Sequence, residues 1–145
     1  MKKFLLILII LFSINSYSQK SGEQLFQAIF DHNLDAVKAI IEKDKSQVNY
    51  VRQINESFYI PVLMQAAMNN EYEISKYLIE NGADVNKKDG FKMTCLMWAA
   101  ANQNIELTKL LLEKGADKNA QDMNGITALK AAEETKNKEI ILLLK

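Results

Sequence analysis

Apolar residues along this chain come in short helical stripes separated by polar turns. Leu96, Ala99 and Ala100 fall at i, i+3 and i+4, which predicts a short helix with one buried face. After the polar turn Asn102-Gln103-Asn104, a second stripe carries Ile105, Leu107, Leu110, Leu111 and Leu112, and Gly115 supplies a left-handed C-cap. Asp117-Lys118-Asn119 then leads into a projecting finger whose turn chemistry is Asp122-Met123-Asn124-Gly125. One unit earlier the same order of stripes appears in Leu63, Ala66 and Ala67, then in Tyr72, Ile74, Tyr77, Leu78 and Gly82.

These stripes are copies of one another. Pro61-Val62-Leu63-Met64-Gln65-Ala66-Ala67 is matched 33 residues later by Thr94-Cys95-Leu96-Met97-Trp98-Ala99-Ala100, and 33 further on by Thr127-Ala128-Leu129-Lys130-Ala131-Ala132. The second halves agree as well, with Lys76–Asp84 returning as Lys109–Asp117. A fixed period of this length predicts small helical units, each too small to bury its own apolar face, stacked side by side. The residues resemble the ankyrin repeat, whose signature T-P-L-H-x-A has the same period. The resemblance runs from about Glu23 to Lys145, although Met64, Met97 and Lys130 stand where the signature has His. It implies an all-α ankyrin-repeat solenoid of four helix-turn-helix units, at about 22–55, 56–88, 89–121 and 122–145, with short finger loops projecting from it.

The first unit departs from the pattern. Leu25–Ile29 and Val37–Lys43 predict its two helices, with Ser21 and Gln24 as a capping box opening the first. It carries five extra residues between Lys43 and Pro61, read as a long polar loop. In the finger before unit three, Lys92 stands where the last finger has Gly125, a position that favours positive φ. The expected outcome is that Gly90 takes over and changes the shape of that finger.

Residues 1–18 read differently from the rest. Lys2-Lys3, the apolar run Phe4 to Phe12 and the small polar stretch ending at Ser18 have the layout of a secretory signal peptide cleaved before Gln19. The apolar run is about half of what a membrane span needs. Its start and junction resemble signal peptides of Gram-negative bacteria, which implies export to the periplasm, with the extracellular space as the other destination. The expected mature domain, 19–145, is a monomer with no membrane association.

Composition then narrows the partner. The 18 basic and 18 acidic residues balance, and loss of Lys2 and Lys3 leaves a slight acidic excess, so nucleic acid is not an expected partner. The single cysteine, Cys95, makes no internal disulfide and reads as a half-buried structural thiol. The single histidine, His32, reads as an exposed turn residue, which leaves no nucleophile–base pair and no metal-ligand cluster. The five glycines lie singly, so there is no phosphate loop. The reading is a non-enzymatic domain with no cofactor and no metal.

What stands out is the apolar character of the fingers: Phe58, Tyr59 and Ile60 in one, Phe91 and Met93 in the next, Met123 and Ile126 in the last. Met68 and Asn69 end the first helix of unit two, where unit three has Ala101 and Asn102. In ankyrin proteins the fingertips and the inner helix surface line the concave groove that meets partners. The resemblance therefore implies a protein-binding surface that includes Phe58, Ile60, Met68, Asn69, Phe91, Met93, Asn102, Met123 and Ile126. The same side chains could instead pack finger against finger, while Trp98 reads as inter-repeat core. A binding module of this kind fits either an inhibitor or immunity factor masking an exported enzyme or toxin, or an accessory that supports a periplasmic protein.

Overall fold

The computed structural model describes the backbone of residues 2–145 and the side chains of residues 16–145. Helices α1 (Lys2–Phe30) and α2 (Leu34–Lys43) form the first pair. A 3-10 turn, η1 (Lys45–Asn49), leads to the antiparallel strands β1 (Val51–Gln53) and β2 (Tyr59–Pro61). Three further pairs follow: α3 (Val62–Met68) with α4 (Tyr72–Glu80), α5 (Cys95–Ala101) with α6 (Ile105–Glu113), and α7 (Ala128–Thr135) with α8 (Lys138–Leu144). The chain is 59% helical.

The four pairs stack in two layers. In the inner layer α1 packs on α3, α3 on α5 and α5 on α7; in the outer layer α2, α4, α6 and α8 follow in order. The apolar stripes turn inward as one continuous core that includes Ile29, Leu63, Met64, Leu96, Met97, Leu107, Leu111 and Ile140, all fully buried. Ala66, Ala67, Ala99, Ala100 and Ala132 are buried between the inner helices, where a larger side chain would hold them apart.

Side-chain caps open five of these short helices, while α3 and α4 have none. Asn33, Thr94, Asn104, Thr127 and Asn137 each accept a hydrogen bond from a backbone N–H in the following first turn. The turn between the helices of every pair uses a left-handed residue: His32, Asn70, Gln103 and Lys136, at φ 56, 60, 58 and 58°. Asparagine side chains then clip neighbouring units together. Asn49 accepts from the Asp84 N–H at 2.9 Å and donates to the Gly82 carbonyl at 3.0 Å. Asn86 repeats this one unit on, with Asp117 at 2.8 Å and Gly115 at 3.0 Å.

Four expectations need correction. The capping box at Ser21 is absent, because α1 begins upstream and Ser21 is a buried mid-helix residue. The long polar loop of unit one is ordered as η1 and the β1–β2 hairpin. Gly90 does not take over the turn of its finger; Lys92 itself adopts φ 62° and the finger keeps its shape. Cys95 is fully buried rather than half-buried. The expected signal peptide falls largely on residues 1–15, whose side chains lie outside the described residues. The expected cleavage junction, Ser18–Gln19, lies within α1.

Candidate protein-docking surface

The surface is built from three fingers made by one device. In each, a short polar side chain accepts two backbone N–H groups across the turn. Asn55 Oδ1 accepts from Ser57 and Phe58 at 3.0 and 2.9 Å. Asp89 Oδ1 accepts from Phe91 and Met93, both at 2.9 Å. Asp122 Oδ1 accepts from Asn124 and Ile126, both at 2.8 Å.

Backbone bonds tie the fingers to one another. The Gly90 N–H donates to the Tyr59 carbonyl at 3.2 Å, and the Met123 N–H donates to the Phe91 carbonyl at 3.0 Å. Gly90 permits the first of these contacts. A Cβ there would lie 2.6 Å from the Ser57 carbonyl oxygen and 2.8 Å from Phe58 Cα.

This scaffold brings apolar residues to the tips. Phe91 is 55% exposed and Met123 62%. Phe58 is half-buried against Phe91, with ring centroids 4.7 Å apart and a 43° tilt, a tilted geometry of the kind aromatic pairs favour. Ile54, 51% exposed at the head of the hairpin, extends the row. The sequence reading missed Ile54 by treating its segment as polar loop. The signal was present: Val51 and Ile54 on one side and Tyr59 and Ile60 on the other flank the turn formers Asn55 and Ser57.

Of the other candidates, Ile60, Met93 and Ile126 lie at the bases of the fingers, whereas Met68, Asn69 and Asn102 lie at the far, C-terminal ends of α3 and α5. Ile60, Met93 and Met68 are partly buried and pack on the core, while Ile126 is half-buried at the base of the last finger. Asn69 donates to the Ile29 carbonyl at 3.3 Å and accepts from Gln65 at 2.7 Å. Asn102 donates to the carbonyls of Ala67 and Met68 at 3.0 and 3.3 Å. Both amides therefore bridge inner helices. Trp98 is half-buried on the core. Phe30, 62% exposed at the end of α1, adds an apolar residue in register with Met68.

Electrostatics around the row are modest. Arg52 pairs with Glu23 at 3.1 Å and covers the Phe26 ring at 4.8 Å. Burial pushes the Asp89 carboxyl above the usual carboxylate range, against the pull of the two N–H groups it accepts. Elsewhere, burial pushes the Cys95 thiol up to about 12. His32 Nδ1 meets the Glu71 carboxylate at the exposed turn of unit one. Among the described residues, no group of three or more His, Cys, Asp or Glu is placed to hold a metal ion. No helix among them is long and apolar enough to cross a membrane.

A rigid stack of helical hairpins with bonded fingers defines a repeat scaffold. The family model for ankyrin repeats, in three copies, matches residues 3–89 and 63–145. The chain belongs to the ankyrin-repeat family, a non-enzymatic interaction fold whose members typically bind other proteins. It is also similar to the palmitoyltransferase akr1 of Emericella nidulans, 33% identical over 69 residues. That match covers 48% of this chain but only 9% of the relative, and the likeness lies in the relative's ankyrin region.

Proposed function

We propose that the protein is exported, loses residues 1–18, and docks a partner protein on the fingertip row Ile54, Phe58, Phe91 and Met123. The observation that carries this reading is the row itself: Ile54, Phe91 and Met123 held exposed at adjacent tips by a bonded backbone scaffold, with Phe58 half-buried against Phe91. Exposed apolar groups gathered in one place mark association surfaces, and aromatics and methionine are enriched there. A scaffold ordered before docking loses little conformational entropy when the partner arrives. Ile60, Met93 and Ile126 support the row from beneath, and Met68, Asn69 and Asn102 extend the surface along the inner helices to the far ends of α3 and α5.

The export reading rests on the basic, apolar and small-residue layout of residues 1–18. The test is to express the full chain with an affinity tag after Lys145, recover it from the periplasm, and identify the co-purifying protein. Changing Phe58, Phe91 and Met123 to Ser should weaken that complex by roughly 30-fold or more, the scale of a lost aromatic hot spot. Unchanged capture by the triple variant would remove the fingertips from the binding surface. An activity assay on the captured partner separates the two roles, since an inhibitor abolishes activity and an accessory leaves it intact or raises it.

A further inference from the structure

Where α1 meets η1, the side chain of Gln47 is 1% exposed. Its Nε2 donates to Asp44 Oδ2 at 2.7 Å and to Ser18 Oγ at 3.2 Å. Its carbonyl oxygen, Oε1, is buried and has no hydrogen-bond partner among the described residues. Buried amide oxygens are almost always satisfied, so this one calls for a donor. Asp44 accepts from the Ser46 N–H at 3.1 Å and hydroxyl at 2.6 Å. These bonds and the one from Gln47 hold its carboxyl below the usual range, so it is ionised. A buried acceptor and an ionised carboxylate thus sit side by side, and the Nε2 of the same Gln47 amide touches Ser18, the residue that precedes Gln19.

We propose that Gln47 and Asp44 form a socket for the α-ammonium group that cleavage between Ser18 and Gln19 exposes. The proposal rests on the export reading above. Cleavage removes Ser18 from Gln47 Nε2 and, one residue along, creates a cation with three N–H donors. Gln47 Oε1 accepts one of them and Asp44 supplies the countercharge.

Other charged groups also face this end. Lys20 and Glu23 project from α1, and Lys43 ends α2 with its ammonium 5.6 Å from the Tyr17 ring. Glu23 is already engaged by Arg52 and by the Tyr50 hydroxyl at 2.9 Å. Asp44 is then the carboxylate available to the new terminus, opposed by the two lysines. Because η1 runs directly into β1, a seated terminus fixes the base of the hairpin that carries Ile54 and Phe58.

The test uses the full chain, exported and recovered, with its N-terminus defined by intact mass. The α-amine is titrated by 15N NMR in the folded protein and in urea. A free terminus ordinarily titrates near 7.7–8.0. The folded protein should titrate about half a unit or more higher, and Asp44→Asn or Gln47→Leu should abolish the difference. A folded pKa raised in this way contributes stability that is present below about 8 and lost as pH rises above it. Equal values in the folded protein and in urea overturn the socket; this comparison decides the matter in wild type alone if the variants fail to fold. A terminus blocked by cyclisation of Gln19, with loss of ammonia, also overturns the socket while leaving export intact. A mass that retains residues 1–18 overturns the export reading and the socket together.

Discussion

Lys92 occupies a left-handed backbone at φ 62°, in the place that Gly125 fills at φ 76°. A side chain there crowds its own carbonyl, at a cost of roughly 1–2 kcal/mol. Lys92→Gly should therefore stabilise the protein by about 0.5–1 kcal/mol after allowing for the looser unfolded chain. A rise in the urea midpoint at constant slope checks this. Gly90→Ala should do the reverse, by roughly 1–3 kcal/mol, since the new Cβ meets backbone that cannot move aside. Asp89 offers a pH test. Its folded pKa is raised by burial, so its contribution to stability is lost as pH climbs from the ordinary carboxylate value through the folded one. Asp89→Asn keeps an oxygen acceptor for Phe91 and Met93 and should raise the melting temperature at pH 7 more than at pH 3. Cys95, buried with its thiol pushed up to about 12, should resist iodoacetamide in the folded protein and react within minutes in urea at pH 8.

At the scale of elements, the helix pairs of units two to four were legible in the sequence because two or three physical signals mark each of them. All three coincide in unit three, where the apolar stripes, Thr94 and Asn104 as caps and Gly115 place the same boundaries. Unit two shows the stripes and Gly82 without side-chain caps, and unit four the stripes and the capping Thr127 and Asn137 without a terminal glycine. The β1–β2 hairpin carried a weaker signal, apolar residues on either side of Asn55 and Ser57, which the polar residues of a strand pair only three residues long on each side obscured. The false capping box at Ser21 shows the converse: a correct local motif is overridden when the preceding residues also continue the helix. Fingertip positions were legible as apolar residues in turns. Whether they faced solvent or neighbours was not, because that depends on tertiary placement: Phe91 and Met123 project, while Met93 and Ile60 turn under. The asparagine clips are a prediction at this scale. Asn86→Ala removes two bonds between adjacent units and should cost about 1 kcal/mol, as net hydrogen bonds at an exposed site do. Native-state hydrogen exchange should show units three and four opening more readily.

Across the whole molecule, stability is a sum of units and of the interfaces between them, whereas the proposed docking is concentrated in a few tip residues. The two properties should separate under mutation. The triple variant with Ser at Phe58, Phe91 and Met123 is expected to melt within a few degrees of wild type, because two of the three side chains are mostly exposed; a collapse of the melting transition would show that the fingers are core. The bonds from Gly90 to Tyr59 and from Met123 to Phe91 run through backbone alone. The geometry of the tips is therefore independent of the side chains displayed on them. A library randomised at Ile54, Phe58, Phe91 and Met123 should keep its fold while changing its targets, so this small stack can serve as an evolvable receptor.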